Sequence, residues 1–452
     1  MIKMTIHRLA CPLFTTIMLM LTSCSITSRT PAERGIRNVT AIAESFGDGE
    51  KVSTVIVEYT VELDASSVTP ECFSVEGRKV VSANTHFRAE KTKESRTGRF
   101  VVLGLAYENK WEAAGANLFA GPRHDATRNG GTRQGAGNGP RFDDDGKPVD
   151  LSVSVIQTAD IRAADGTILP ASNRRHASTA ATELVIKDFQ KRYFTDAETG
   201  ITLPYFVFLP AGYDASKKYP MVFFIPDASA DTSIETATLT QGNGATVWAT
   251  PEEQAKHPAI VVAVQYPYSV VKEYGAMTLD DHAWTKGLTA VDSLLHHLVE
   301  SLAVDKDRVY GTGQSQGCMA NIAISDRHPL LFAAQYLVAG QWDVAEMAAM
   351  KDKKLWILVC EGDAKAYPAM CNAVELWKSL GAKAVKGDAF WNPKASREEM
   401  AENVRAMLAM DADIRMNVFA GGSHMYTWSL AYDIEGIRDW LFAQSRAMQR
   451  ND

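Results

Sequence analysis

The 452-residue sequence has six cysteines, none in a C-x-x-C pair, and no His/Cys cluster at the spacing of zinc ligands. That excludes a zinc-stapled fold. Dense Lys/Arg runs are missing as well, and 47 basic against 54 acidic residues leave a formal charge of −7. A nucleic-acid-binding surface is excluded by that balance. There is no internal repeat, and the N-terminal apolar run, Leu9 to Leu21, is too short to span a bilayer as a helix. Apolar residues make up 46% and charged residues 22%, which rules out wholesale disorder, collagen and coiled coil. The length predicts two or three domains at about 150 residues each.

What is present starts with an address. Lys3 and Arg8 precede the apolar run, which ends in Leu21-Thr22-Ser23-Cys24. Charge, apolar stretch and small residues before a cysteine look like a bacterial lipoprotein signal. Pro12 within the run and the Ser/Thr-rich stretch after Cys24 argue against a buried helix. Residues 1–24 are therefore expected to be the signal and 25–38 a linker, with Cys24 lipidated and the protein exported and anchored at the periplasmic face or cell surface. Apart from Cys11 in the signal, the other cysteines are Cys72, Cys318, Cys360 and Cys371. Cys360 ends a predicted buried strand and Cys371 lies on the next helix, so free thiols are favoured over a bridge.

Two hydrophobic periods divide the remainder. Within 39–171, Val55, Val57, Tyr59, Val61 and Leu63 alternate with Thr54, Glu58, Thr60 and Glu62, and Leu151, Val153 and Val155 alternate with Ser152 and Ser154. Phe100 to Leu105 reads as another strand, and Asp165-Gly166 between Ile161 and Ile168 as a tight turn. Short strands with turns between them predict an all-β immunoglobulin-like sandwich. Asn129 to Pro140 holds five glycines and reads as a long loop; Asp143-Asp144-Asp145-Gly146 reads as a solvated turn, with calcium binding the alternative. A polar stretch without periodicity marks a linker over 172–188.

From 189 to 452 the pattern changes. Ile201 to Leu209, Met221 to Ile225, Ile260 to Val264, Arg308 to Thr312, Ala334 to Val338, Leu355 to Val359 and Ile414 to Phe419 are short apolar runs that fit buried strands. Helical patterns fall between them: Leu288, Val291, Leu295, Leu298 and Leu302 form one apolar stripe. Strands alternating with helices predict a mostly parallel sheet covered on both faces.

Gly313-Gln314-Ser315-Gln316-Gly317 follows one of these strands and opens a helix, the context in which G-x-S-x-G marks a nucleophile on a sharp strand-to-helix turn. Serine needs a base, and the base an orienting carboxylate. After Ser315 the only histidines are His328 and His424. His328 is too close in sequence to swing back, whereas His424 in Gly421-Gly422-Ser423-His424 follows the last strand, in a loop where the base belongs. For the acid, Asp363 is favoured by the preceding Gly362, with Glu361 and Asp343 as rivals. The oxyanion donors are expected to be the N–H of Gln316 and, from the loop Ile225-Pro226-Asp227-Ala228-Ser229, that of Ala228.

With these positions located, the mature chain resembles bacterial α/β-hydrolase esterases, often labelled predicted peptidases, that carry an N-terminal immunoglobulin-like domain and are related to feruloyl-esterase and polyhydroxybutyrate-depolymerase-like lipases. The matching stretches are Gly311 to Gly317, Glu361 to Met370 and Ser423 to Phe442, and the resemblance covers about nine-tenths of the chain. It implies a triad of Ser315, Asp363 and His424, acting on carboxylic esters, including acyl or feruloyl esters of carbohydrate, without metal or organic cofactor. Relatives commonly have His-Gly where this chain has Pro226-Asp227, which sets a negative charge near the expected oxyanion. That departure motivates a non-catalytic binding lipoprotein as an alternative, beside a serine peptidase with the same triad. Tyr266, Tyr268, His282, Trp284, Trp342, Tyr367, Trp391 and Trp428 are expected near the catalytic edge of the sheet, with Trp391 the favoured pocket or lid residue.

Overall fold

The computed structural model describes residues 34–112 and 147–449. The expected signal with Cys24, the glycine-rich loop and the acidic turn after it lie outside the described residues. No helix among the described residues is long and apolar enough to cross a membrane.

The N-terminal half is a sandwich because its apolar residues recur at the strand period. Five strands, in the spatial order Ala180–Glu183, Ile36–Phe46, Gly49–Leu63, Gly98–Leu105 and Val80–His86, form one sheet. Opposite it, Ser154–Gln157 pairs with Phe73–Val75 and His176–Ala177. Val55, Val57, Tyr59, Leu103, Phe73, Val75 and Val155 are buried between them. Tyr59 Oη crosses this core and donates to Gln157 Oε1 at 2.9 Å, which satisfies two buried polar groups at once. The Asp165-Gly166 turn joins a short hairpin, Ile161–Arg162 with Ile168–Leu169. The stretch 172–188 differs from the expected linker, since it supplies two strands, His176–Ala177 and Ala180–Glu183, to the sandwich. Its polar sequence hides this because both strands lie at sheet edges.

The second half is a nine-stranded sheet in the order Gln190–Thr195, Thr202–Phe208, Ile260–Val264, Tyr219–Ile225, Val304–Gln314, Ala334–Val338, Leu355–Cys360, Ile414–Phe419 and Ala384–Lys386. Thr202–Phe208 runs antiparallel to both its neighbours, and all the other pairings are parallel. Seven of the nine occupy the expected apolar runs. Gln190–Thr195 and Ala384–Lys386 carry no such run because they are the two edges, where one side faces water. Along Tyr219–Ile225, Met221, Phe223 and Ile225 join one core while Val222 and Phe224 join the other. Helices Lys286–Ser301, Gln316–Arg327 and Ala366–Ser379 cover the first face. Helices Arg397–Leu408, His424–Ala431 and Glu435–Phe442 cover the second. The four cysteines of the described residues are free thiols.

Candidate active site

Ser315 stands between strand Val304–Gln314 and helix Gln316–Arg327 with φ 51° and ψ −119°. A non-glycine residue in that region costs on the order of 1–3 kcal/mol and persists only where its surroundings hold it. Two glycines explain how they do. A Cβ on Gly317 would lie 1.9 Å from the Ile225 carbonyl oxygen, and one on Gly313 would lie 2.4 Å from the same atom. The elbow is therefore pressed against the end of the neighbouring strand, which starts the expected oxyanion loop. Asn321 braces the turn from inside, donating to the carbonyls of Thr312 at 2.9 Å and Gly317 at 2.8 Å.

His424 reaches the serine from the last strand. The loop after Ile414–Phe419 turns on Gly421 and Gly422, both at positive φ (59° and 70°). It is tied to the loop after Leu355–Cys360 by Gly362 N–H donating to the Gly421 carbonyl and Gly421 N–H donating to Glu361 Oε2. These bonds bring the two loops side by side. His424 itself opens helix His424–Ala431 rather than standing free in the loop, with Ser423 capping the helix. Its Nε2 is 2.9 Å from Ser315 Oγ and its Nδ1 is 2.6 Å from Asp363 Oδ2. The ring is further held edge-on by Trp428, centroid to centroid 5.0 Å.

Asp363 is buried, and burial opposes its charge, but the neighbouring His424 and the N–H groups of Ala366 and Lys365 outweigh that and hold its carboxyl below the ordinary range. The rivals are placed elsewhere. Glu361 accepts from Gly421 N–H, and Asp343 accepts from the N–H groups of Ala345 and Glu346.

On the oxyanion side, Gln316 is the first residue of the elbow helix, where N–H groups lack intrahelical partners. Ala228 opens a short 3₁₀ turn, Ala228–Ala230, whose cap is Asp227. Asp227 does not aim its charge at the expected oxyanion. It is buried and turned inward, accepting from Ser229 N–H at 2.7 Å and Gln314 Nε2 at 2.9 Å. The Gln241 amide nitrogen, in its satisfied orientation, donates to Asp227 Oδ2 at 2.7 Å. Burial pushes this carboxyl up, against the pull of those donors. Of Gln314, Gln241 and Asn321, only Asn321 carries a sequence signal, a polar side chain inside an apolar run.

The aromatic candidates separate. His282 and the buried Trp342 pack with their rings tilted, 5.0 Å between centroids and 54° between planes. Trp284 packs under Arg327, whose guanidinium carbon is 3.6 Å from the ring centroid, at the end of the elbow helix opposite Ser315. Trp391 is no lid: it is buried, bridged to Phe419 along the sheet and edge-on to that ring. Its Trp-Asn-Pro context suggested a loop, but the backbone continues the pairing of the last strand. Tyr266 is fully buried, its hydroxyl donating to the Gly275 carbonyl, whereas Tyr268 is exposed. Tyr367 packs edge-on against Phe390.

Residues 38–170 match the family model described as the esterase Ig-like N-terminal domain. That match covers the sandwich and none of the second domain. Among solved structures, the chain is similar to a thermostable esterase at TM-score 0.68 and 24% identity, over 91% of this chain and 100% of that one. It is similar at a lower level to a ferulic acid esterase (TM-score 0.38, 13% identity, 56% of this chain and 98% of that one). A glucuronoyl esterase from Solibacter usitatus gives TM-score 0.36 and 13% identity over 56% of this chain and 81% of that one. No curated protein matches the chain. The likeness to the thermostable esterase shows the fold, an α/β hydrolase preceded by the Ig-like domain.

The Ig-like domain touches the machinery around the candidate triad. Its turn at 47–48 is wedged against helix His424–Ala431, where a Cβ on Gly47 would lie 2.2 Å from the Ser429 carbonyl oxygen. Asn109 Nδ2 donates to Ser429 Oγ at 2.9 Å, and Ser45 Oγ donates to the Leu239 carbonyl at 2.6 Å, two residues before Gln241.

Proposed function

We propose that this protein is a serine hydrolase cleaving carboxylic esters through an acyl-enzyme. The observation that carries the reading is the unbroken line from Ser315 Oγ through His424 to Asp363 at a strained elbow. Ser315 Oγ attacks the ester carbonyl carbon and passes its proton to His424 Nε2, while Asp363 holds the Nδ1–H and stabilises the imidazolium. The N–H groups of Gln316 and Ala228 receive the oxyanion. Collapse breaks the bond to the alcohol, which leaves with the proton from His424; water, deprotonated by the same imidazole, then releases the acid. Each step moves protons only among these groups, so no cofactor is needed.

An aromatic or sugar-bearing ester belongs to the same reading, with His282, whose ring is tilted against the buried Trp342, as the candidate contact. Export and lipidation at Cys24 belong to the same reading, supported by the charge and apolar order of the N-terminus. Treatment with a fluorophosphonate probe is expected to label Ser315 and no other residue. Short acyl esters and chromogenic peptides measured side by side then decide the bond: faster amide turnover would replace the esterase reading by a peptidase, and an unlabelled folded protein by a binding role.

A further inference from the structure

Tertiary folding assembles a second polar cluster far along the elbow helix from Ser315. Asp292 and His296 sit four apart on helix Lys286–Ser301, so they share one face. His328 caps the C-terminus of the elbow helix, and Pro329 follows it and prevents a further turn. The two helices place one ligand atom from each residue within 4.8 Å of the others. His328 Nε2 is 2.9 Å from Asp292 Oδ2, and His296 Nδ1 is 3.2 Å from Asp292 Oδ1. Tetrahedral zinc, with bonds of about 2.0–2.2 Å, separates its ligand atoms by about 3.3 Å. The His296–Asp292 spacing is close to that value, and the shorter His328–Asp292 hydrogen bond opens slightly to admit an ion.

A second observation shows that hydrogen bonding alone does not complete the cluster. Asp292 Oδ1 is buried and accepts no aligned hydrogen bond: His296 Nδ1, 3.2 Å from it, is directed at the Asp292 carbonyl 2.9 Å away, a bond it gives up when it loses its proton to ligate an ion. A buried carboxylate oxygen without a donor is costly. A cation between the carboxylate and the two imidazoles removes that cost. Both rings are partly exposed, with 45% of the His296 and 33% of the His328 side chain accessible, so an ion can enter from solvent and keep a water in its remaining position. The other grouping of this kind among the described residues, Glu253, His257 and Asp439, is less suited: Arg438 donates to Glu253 at 2.7 Å and sets a positive charge beside it.

We infer that Asp292, His296 and His328 form a binding site for a divalent transition-metal ion of the zinc class, clamping helix Lys286–Ser301 to the C-terminal end of the elbow helix. Two imidazoles and one carboxylate suit zinc, nickel or copper and disfavour calcium and magnesium, which take oxygen ligands. The site takes no part in the reaction at Ser315, and its test does not depend on that reaction.

The full chain, without a histidine tag and stripped of metal by a chelator, would be titrated with zinc chloride by calorimetry. One equivalent is expected to bind with a dissociation constant in the micromolar range, together with a rise in melting temperature. Cobalt(II) in place of zinc is expected to give the visible bands of a four- or five-coordinate ion. His296→Gln and His328→Gln should each weaken binding at least tenfold while leaving the metal-free melting temperature within a few degrees of the parent. His296→Gln, at the more exposed position, serves if the other variant does not fold. Absence of saturable binding up to millimolar zinc, or one-equivalent binding that survives both substitutions, would overturn the assignment.

Discussion

Gln314 Nε2 donates to Asp227 Oδ2 at 2.9 Å, joining the residue before the candidate nucleophile to the cap of the turn that presents Ala228. This bond, with the one that Ser229 N–H donates to Asp227 Oδ1, makes the carboxyl a positioning group. Asp227→Ala leaves those donors buried without an acceptor, at about 1–3 kcal/mol for each group, and loosens the oxyanion turn. A fall in kcat of roughly 10- to 1000-fold is expected, since one lost oxyanion donor costs up to about that much, with KM changed far less. Asp227→Asn retains an acceptor and is expected to recover most of the loss. Steady-state kinetics of the two variants on one ester would show it; equal kcat in Asp227→Ala and the parent protein would remove the positioning role.

Replacing Asp363 by Asn keeps the shape but presents a donor where the imidazole needs an acceptor. Catalysis should drop by about 10⁴-fold, as expected when the histidine is held in the wrong tautomer. The carboxyl is held below its ordinary range, so its contribution to stability is present above the unfolded pKa and lost as pH falls through the folded one. Urea unfolding should therefore separate Asp363→Asn from the parent at pH 7 and bring the two together in strong acid.

The close fit of Gly47 to the Ser429 carbonyl has a direct consequence for the link between the domains. An alanine there cannot fit unless the turn moves off helix His424–Ala431. Destabilisation of about 1–3 kcal/mol is expected from such overpacking, and because the helix begins at His424, ester turnover should fall with it. Calorimetry and kinetics on Gly47→Ala test this; an unchanged melting temperature and unchanged kcat would show that the turn can move at no cost.

Glu50 is buried beside Glu183, and burial together with that second carboxylate pushes its pKa up from 4.5 to about 7. The folded state thus holds a proton that the unfolded state releases. Stability from this group is complete below the unfolded value and declines as pH rises through about 7. Glu50→Gln should flatten the pH dependence of the urea midpoint between pH 5 and pH 8 and should be the more stable form at pH 8. If the two proteins lose stability in parallel across that interval, the Glu50 proton is not its source.

Several features were legible in the residues alone, for local steric reasons. G-x-S-x-G between a buried strand and a helix leaves few backbone paths, so Ser315 could be located without coordinates, and the seven interior strands of the hydrolase sheet betray themselves by continuous apolar runs. Edge strands such as Gln190–Thr195 and Ala384–Lys386 were hidden because one side faces water and the apolar pattern is diluted. Trp391 looked like a pocket residue because an aromatic before Asn-Pro reads the same whether it ends a strand or a loop; only its pairing with Phe419 shows it to be core.

By itself the sequence determined which groups are available: a serine at an elbow, a histidine after the last strand, carboxylates after earlier ones, and an aspartate at the oxyanion turn. Only the tertiary structure decided which of them meet. Asp363 rather than Glu361 faces His424, Asp227 turns inward to Gln314 and Gln241, and Asp292, His296 and His328 converge from two helices. The reason is geometric. Side-chain direction depends on backbone angles and on packing between elements distant in the chain, and contacts between residues 61, 87 or 36 positions apart are not encoded in any local spacing.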